Sequence, residues 1–423
     1  MLQTLKNAWR VEEIRKKLLF TLIILLIYRV GNAIPVPYVD TAALQSYFTS
    51  LQNTVLGLLN VMSGGAFSQA TIFALSIQPY INASIIIQLL CIAIPALERM
   101  SKDEGEEGKK KIASITRYST VGIGLLQGFA YYMLIKNNGL LVSGANVWAA
   151  IVIVLTFTSG SALIMWLGEQ ITEYGIGNGI SMILFAGIIS RFPTSIASTI
   201  SNIIGGNLAW WVAVLMYIGA LLIIVLIVYV NDAERRIPVQ YAKRVVGRKM
   251  YGGQSTHLPM KVNMSGVMPI IFAQSIASLP ATIAAFTGHS NSSWAQTDTI
   301  PYAIIYFALI IFFAYFYSTI QFNPIEVANN LKKNGGYIPG FRPGKPTSEF
   351  IQKVLNKITL FGALYLGIIA TVPILIQHFS TTSSLTGLSL GGTSIIIVVG
   401  VALETIRAIE AELMMRNYKG FLD

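Results

Sequence analysis

Residues 210–230 read WWVAVLMYIGALLIIVLIVYV, an apolar run that contains no charged side chain. A helix needs about 20 mostly apolar residues to cross the roughly 30 Å of hydrocarbon in a bilayer, so this run predicts a membrane-spanning helix. Nine further apolar segments of similar character occur along the chain. The ten expected spans lie at residues 18–38, 70–95, 118–135, 147–167, 176–198, 210–230, 267–286, 300–322, 358–379 and 388–411.

The Lys and Arg residues sort to one side of these spans when the N-terminus is placed inside. Of the 30, 27 fall in the N-terminal segment, in and around the loops after spans 2, 6 and 8, and at the C-terminal end. The outer side keeps only Arg29, Lys136 and Arg191. Because cytoplasmic loops carry the excess of Lys and Arg, the pattern predicts both termini in the cytoplasm. The pattern also supports the count of ten spans, because one missed helix would place the later basic loops on the opposite side of the membrane.

Composition favours the same class of protein. The chain is 54% hydrophobic and 12% charged, whereas a soluble protein is about a quarter charged. Its net charge of +11 lies on loops expected to face anionic lipid headgroups and acidic partners, so it does not indicate a nucleic-acid binder. The first apolar run is long and lacks a small-residue cleavage site, which indicates an uncleaved span. Cys91 is the only cysteine, which excludes an intrachain disulfide and disfavours a metal cluster.

The expected fold is an all-α polytopic membrane protein with five spans in each half. An odd number per half starts the second half on the opposite side, so related halves would be inverted about an axis in the membrane plane. The halves are residues 1–200 and 201–423, and the stretch at 199–209 is the expected hinge. Two long basic loops, 231–266 and 323–353, lie on the inner side, and loops of this length usually carry function.

The sequence contains no convincing catalytic, metal or cofactor motif. GIGNGI at 175–180 has the wrong spacing for a nucleotide-binding loop and follows no strand, so it indicates a tight turn into span 5. GFRPGKPT at 340–347 lacks the Ser or Thr that a phosphate-binding loop needs after its Lys. We therefore expect a protein that is not an enzyme and has no catalytic residues.

Two features of the apolar regions have more than one interpretation. Spans 2, 5 and 7 carry polar side chains, which indicates either hydrogen bonds between helices or helices that face an aqueous path or a gap that opens. Residues 60–69, NVMSGGAFSQ, are too short and polar to cross the membrane. Taken alone, this segment is either a surface loop or a re-entrant segment that folds back into a cavity.

Five stretches of the sequence resemble signatures of the SecY family, the central subunits of bacterial protein-conducting channels. They are ALSIQPYINASIIIQLL at 74–90, WLGEQITEYGIGNGIS at 166–181, RRIPVQYAKR at 235–244, STHLPMKVN at 255–263 and NPIEVANNLKKNGGYIPGFRPG at 323–344. The similarity runs from span 1 to span 10 in the family's order. Because each motif is long, their combination is specific to this family.

The resemblance implies a ten-helix channel whose two halves surround a pore. Polypeptides would cross it, or leave sideways into lipid through a lateral gate between helices 2 and 7. The expected gate residues are Asn82, Gln88, Gln274 and Ser275. The expected plug, at about residues 60–69, contains Asn60, Val61, Met62, Ser63, Gly64, Gly65, Ala66 and Phe67. The expected pore ring is Ile77, Ile81, Ile180, Leu184, Ile271 and Ile397, in which Leu184 departs from the family's common isoleucine but keeps the apolar bulk.

The resemblance also implies partners on the inner side. The basic clusters alone fit either topology determination or a docking surface. In the family such loops dock the SecA motor ATPase or the ribosome, which makes the expected docking residues Arg235, Arg236, Lys243, Arg244 and Arg342. SecE and SecG subunits would complete the complex, in contact with lipid and with the translocating unfolded polypeptide. No cofactor is expected, and ribosomal RNA is the only expected nucleic-acid contact.

Two other classes of membrane protein remain open on physical grounds. A secondary transporter with inverted repeats would need charged or coordinating side chains at mid-membrane, where the sequence has isoleucines. A scaffold without a pore would show no conductance in bilayers even after removal of residues 60–69.

Overall fold

The computed structural model describes residues 6, 8–50, 54–102, 105–142, 146–206, 208–241, 244–246, 249–251, 255–264, 266–286, 299–379 and 392–419. Within these ranges, five helical stretches are long and apolar enough to cross a membrane: Val147–Tyr174, Gly179–Ile204, Trp210–Asp232, Ile300–Lys333 and Lys345–Ile376. Two shorter apolar helices are Gln78–Ala93 and Met268–Pro280. The protein is therefore mostly helical and has several helices suited to a bilayer.

The helices fall in chain order around a central β-hairpin. Before the hairpin lie α1 (Glu12–Gly31), α2 (Thr41–Ser50), α3 (Val55–Met62), α4 (Gln78–Ala93), α5 (Pro95–Lys102), α6 (Gly105–Asn137), α7 (Val147–Tyr174), α8 (Gly179–Ile189), α9 (Phe192–Ile204) and α10 (Trp210–Asp232). After it lie α11 (Met268–Phe286), α12 (Ile300–Gln321), α13 (Pro324–Lys333), α14 (Lys345–Phe379) and α15 (Gly392–Lys419).

Two expected spans have different ends in the structure. Helix α1 ends at Gly31 rather than at residue 38, because Pro35 and Pro37 lack the amide hydrogens that would continue it. The expected second span begins with turns over residues 70–77, and its helix starts only at Gln78. Gly160 of α7 lies so close to these turns that an added Cβ would be 1.9 Å from the Ile72 carbonyl oxygen.

The expected fifth span is interrupted. Helix α8 ends at Ile189, and Pro193 occupies the first turn of α9, a position where proline's missing N–H costs nothing. The expected hinge at 199–209 is partly helical, since α9 continues to Ile204. A turn follows at Gly205–Gly206, where Gly206 has φ +74°.

The basic loop at 231–266 contains β-structure, which corrects the expectation of an all-α protein. Strand β1 (Glu234–Tyr241) pairs antiparallel with β4 (Ser255–Lys261) and with β5 (Gly336–Tyr337). Strands β2 (Arg244–Val246) and β3 (Lys249–Tyr251) form a separate two-stranded pair. The reason is visible in β1, where Ile237 and Val239 are buried and alternate with exposed neighbours, the period of a half-buried strand.

The largest apolar cluster joins helices from both ends of the chain. It contains side chains of α1, α4, α7 and α8 together with side chains of α10, α11, α12, α14 and α15. A second cluster lies between α2, α3, α6 and α7. A third packs the β1–β4–β5 sheet onto α13 and α14 through Ile237, Val239 and Leu355. The basic sheet therefore rests on its own apolar base.

Candidate functional site

The six expected ring residues lie in one apolar cluster. Five are at most 2% exposed, namely Ile77, Ile81, Leu184, Ile271 and Ile397. Ile180 is partly buried and packs against the same cluster. Helices α4 and α8 precede the hairpin, and α11 and α15 follow it. The ring residues therefore bring two helices from each side of the hairpin into one apolar cluster.

The two pairs of ring residues on the N-terminal side, Ile77 with Ile81 and Ile180 with Leu184, sit at the first turn of a helix. Ile77 is the N-cap of α4, directly before its first helical residue. The Ile81 N–H donates to the Ile77 carbonyl at 3.1 Å, so the pair still spans one turn. In α8 the Asn178 side chain caps the helix by accepting from the Ile180 and Ser181 amides at 3.0 and 3.3 Å. The expected tight turn at 175–180 is therefore observed.

The expected plug residues fold inward. Helix α3 ends at Met62, and turns continue from Ser63 to Ile77. Asn60, Met62, Ser63, Gly65, Ala66 and Phe67 are buried, while Val61 and Gly64 are half-buried. The segment is therefore enclosed by the protein and is not a loop on its surface.

Polar contacts hold the middle of this segment. The Ser63 carbonyl accepts hydrogen bonds from the Tyr28 hydroxyl at 3.4 Å and from Asn32 Nδ2 at 3.3 Å. Met62 Sδ accepts from Gln78 Nε2 at 3.3 Å and from Gln274 Nε2 at 3.5 Å. Met62 thus contacts α4 and α11 at the same point, beside the ring residues of the same cluster.

Phe67 anchors the far end of the segment in the second apolar cluster. Its ring stacks on Tyr131 at 4.2 Å between centroids and meets Phe48 edge-on at 5.3 Å. The Tyr131 hydroxyl also donates to the Phe67 carbonyl. Residues 60–67 therefore bridge two cores, with Met62 in one and Phe67 in the other.

The four expected gate residues do not form one contact. Helices α4 and α11 pack against each other, and Asn82 lines a cavity of about 40 Å³ together with Ser278. Gln88 instead accepts a hydrogen bond from the Tyr317 hydroxyl of α12 at 3.0 Å. Gln274 and Ser275 are buried, and Gln274 Oε1 and Ser275 Oγ have no hydrogen-bond partner among the described residues.

The two basic loops meet in the β1–β4–β5 sheet. Arg235 and Arg236 are exposed on β1, while β5 brings in the second loop through the Gln240–Tyr337 pair. The Tyr337 hydroxyl reinforces this pairing by donating to Gln240 Oε1 at 2.9 Å. Arg236 Nε forms an ion pair with Glu234 Oε1 at 2.6 Å, a pair that the sequence analysis did not predict. Lys243 lies outside the described residues, and Arg244 begins β2.

Arg342 sits at an exposed turn that follows β5. Gly340 and Gly344 flank it with φ of +88° and +103°, conformations that glycine adopts without strain. The Thr347 hydroxyl donates to the Arg342 carbonyl at 2.8 Å, and Phe341 stacks on Phe350 at 4.2 Å. The backbone of the turn is therefore fixed, and Arg342 itself is exposed.

A polar network ties the base of the hairpin to α15. Arg407 Nη2 pairs with Asp232 at 2.7 Å and donates to the Asn231 carbonyl at 2.6 Å. Asn263 Nδ2 donates to Asn231 Oδ1 at 2.8 Å. Burial and the nearby Arg407 charge lower the pKa of Lys261. The network links the base of the β1–β4–β5 sheet to α10 and to α15, the helix that carries Ile397.

The sequence analysis did not identify several residues that surround the expected plug, residues 60–67. Gln78 and Tyr28 contact it, yet each looks like an ordinary polar or aromatic residue of a span. Gly187 lets α8 approach so closely that an added Cβ would lie 2.6 Å from the Met62 carbonyl oxygen. Arg29 and Arg191 also lie against the segment. The sequence did single them out, because they are two of the three basic residues assigned to the outer side.

The sequence is similar to a large group of channel subunits. A family model described as SecY matches residues 71–406, about four fifths of the chain. The chain is 45% identical over 444 residues to the protein translocase subunit SecY of Streptomyces scabiei, and the alignment covers 100% of both proteins.

Solved structures share the fold. One is a SecY protein whose plug domain stabilises the closed state of its translocation channel and maintains a membrane seal. It matches with a TM-score of 0.66 and 18% identity, over 94% of this chain and 92% of that one. Another is Sec61 in the canine ribosome–channel complex from the endoplasmic reticulum, with a TM-score of 0.59, 18% identity and the same coverage.

Proposed function

The chain belongs to the SecY family, and on that premise we propose that it is the central subunit of a protein-conducting channel that passes polypeptides across a membrane and inserts membrane proteins into it. The observation that carries this function is the apolar cluster in which the ring residues of α4, α8, α11 and α15 lie together with Met62 of the plug segment. The alternative of a secondary transporter has no support, because this cluster is apolar where a coupled transporter needs coordinating groups.

We propose that ten helices in two inverted halves, residues 1–200 and 201–423, surround the pore. The sorting of basic residues supports this count. In that arrangement α4 and α11 correspond to the second and seventh spans, and their contact is the closed lateral gate. Asn82 of α4 and Ser278 of α11 line one cavity at this seam.

The six ring residues form the seal. A narrow apolar constriction stops water and small ions by dewetting, and isoleucine is suited to it because its side chain is bulky, apolar and stiff at χ1. Whole helices move apart to widen the constriction for a peptide. The plug segment, residues 60–67, closes the channel from the outer side, as its burial beside the ring and its contacts with α4 and α11 support.

The proposed partners bind on the inner side. The SecA motor or the ribosome docks on the β1–β4–β5 sheet and the Arg342 turn, since this surface is basic, exposed and built on a rigid apolar base. SecE and SecG complete the complex. We place the protein in the bacterial cytoplasmic membrane with both termini in the cytoplasm, which the 27 inward-sorted basic residues support. The role requires no cofactor, because the energy comes from the partner and the proton-motive force.

Replacing the ring tests this function directly. The triple variant Ile77→Ser, Ile81→Ser, Ile271→Ser is expected to raise resting ion conductance in reconstituted bilayers roughly tenfold, the change that lowering the barrier by about 1.4 kcal/mol produces. It is also expected to relax the demand for a good signal sequence. The matched control is Ile86→Ser, because Ile86 lies on the same helix but is 47% exposed. Lower stability of the triple variant without a leak would mean that these side chains only pack helices.

A further inference from the structure

The C-terminal part of α15 is attached to the beginning of α1. Lys17 Nζ forms an ion pair with Glu412 Oε1 at 2.6 Å, and the two side chains are 41% and 24% exposed. An ion pair that is partly shielded from water is screened by salt less than one on an open surface. This contact therefore stabilises the approach of two helices from opposite ends of the chain.

Apolar side chains pack beside this ion pair. Ile14 of α1, Ile176 of the turn between α7 and α8, and Ile409 of α15 are at most 3% exposed and form one cluster. The nearby Lys16 and Glu12 side chains are largely exposed, which places the cluster next to water. Because apolar side chains are stabilised by their removal from water, separating α1 from α15 here would cost free energy.

Polar contacts extend this attachment to α8. The Ile176 N–H donates to Thr21 Oγ1 of α1 at 3.3 Å. The Thr405 hydroxyl of α15 lies 3.3 Å from Sδ of Met182 in α8, the helix that carries the ring residue Ile180. Helix α15, from the second half of the chain, is thus attached to α1 and α8, which both belong to the first half.

The contact between α4 and α11 has a different chemical character. Gln274 Oε1 and Ser275 Oγ of α11 are buried, and neither atom has a hydrogen-bond partner among the residues that the structure describes. Asn82 of α4 and Ser278 of α11 line a cavity at this contact. Buried polar atoms without partners cost free energy, and water or a peptide that enters between α4 and α11 would supply partners. Separating these two helices therefore recovers part of that cost.

We propose that the α1–α15 junction is a fixed attachment about which the two halves pivot, and that it stays closed while α4 and α11 separate. The junction is formed by Ile14, Lys17, Ile176, Ile409 and Glu412. Parting it would expose apolar side chains and break an ion pair, whereas parting α4 from α11 gives partners to buried polar atoms. The inference rests on the proposed channel with two halves, and it adds an attachment on the inner side to the expected hinge at 199–209.

The first test fixes each contact in turn. In a Cys91→Ser background, the pair Lys17→Cys, Glu412→Cys is joined by a short bifunctional maleimide, and the pair Asn82→Cys, Ser278→Cys is the matched pair across α4 and α11. The reconstituted complex is assayed for SecA-driven translocation of a preprotein with and without the crosslinker. The junction crosslink is expected to leave translocation unchanged, and the α4–α11 crosslink is expected to abolish it.

The second test measures whether the ion pair holds the junction. A contact that is present in both the closed and the open channel shifts neither state relative to the other. Glu412→Lys is therefore expected to lower the unfolding midpoint of the complex by about 2 °C without changing resting ion conductance. Adding Lys17→Glu is expected to restore the midpoint. Lys16→Glu, which breaks an exposed ion pair within α1, is the matched control and should have a smaller effect.

Three results would overturn the pivot. Translocation blocked by the junction crosslink would show that α1 and α15 must part. A rise in the resting conductance of Glu412→Lys would show that the ion pair is a latch of the closed state, and an unchanged midpoint would show that the pair does not hold the junction. If the α4–α11 crosslink leaves translocation intact, the proposed gate itself fails, and the pivot fails with it.

Discussion

Reversing the charge at Arg342 is expected to reduce motor-driven translocation about a hundredfold and to leave the amount of channel in the membrane unchanged. Losing one partner of a close charge pair at an interface costs about 2–5 kcal/mol, and about 2.8 kcal/mol corresponds to a hundredfold in affinity. The turn that carries Arg342 is fixed by its own backbone contacts, including the Thr347 hydrogen bond. Arg342→Glu should therefore change recognition and not folding.

The measurement is translocation of a secretory preprotein into vesicles that contain the reconstituted channel and the SecA motor. Lys136→Glu is the matched control, because it changes the net charge equally but lies on the expected outer side. Arg342→Lys keeps the charge but loses the planar fork that binds a carboxylate through two hydrogen bonds, and its activity should fall between the two. Wild-type translocation by Arg342→Glu would show that this turn does not dock the motor.

Removal of the plug is expected to turn a silent channel into one that leaks ions. In a typical two-state protein the minor state, here the open channel, is populated to about 1%. If deletion of the plug leaves the channel always open, resting conductance rises about a hundredfold. A deletion of residues 60–66 is preferable to a longer one, because Phe67 stacks on Tyr131 and supports the second apolar cluster. Single-channel recording of the reconstituted complex measures the effect.

The control for this deletion is a thermal unfolding curve, which should show a folded protein. If the deletion variant is folded and its recordings are as silent as those of the wild type, residues 60–66 do not close the channel. A variant with a leak that seals again under a translocating chain would show that the chain replaces the plug in the pore.

Much of the helical framework could be predicted from the sequence because hydrophobic length and charge placement act over whole segments. The run at 210–230 coincides with α10, and the run at 300–322 coincides with α12 to within one residue. The family resemblance is confirmed by relatives that match over their full length. It also led to six ring positions that the structure brings into one cluster, although the four helices that carry them are far apart in sequence.

Local geometry could not be predicted in the same way. The apolar letters of residues 70–77 fit a helix, but Ala70 and Ser76 adopt positive φ and Gly160 lets α7 press on the Ile72 carbonyl. These turns depend on a contact with a helix about 90 residues away in the sequence, which composition does not reveal. The β1 strand was detectable in principle, since Ile237 and Val239 alternate with polar neighbours, but its pairing with β5 depends on a partner in another loop.

The proposed pore is tested most directly by the positions at which a translocating polypeptide contacts the channel. A photoreactive residue is placed at position 77 or 271 in the ring, and at position 86 or 218 as a lipid-facing control, since Ile86 and Ile218 are 47% and 55% exposed. A preprotein is then stalled by a folded domain at its end, and crosslinks are read from gels. Crosslinks are expected at 77 and 271, and none at 86 or 218. Crosslinks concentrated at 86 or 218, with none at the ring, would contradict the proposed pore.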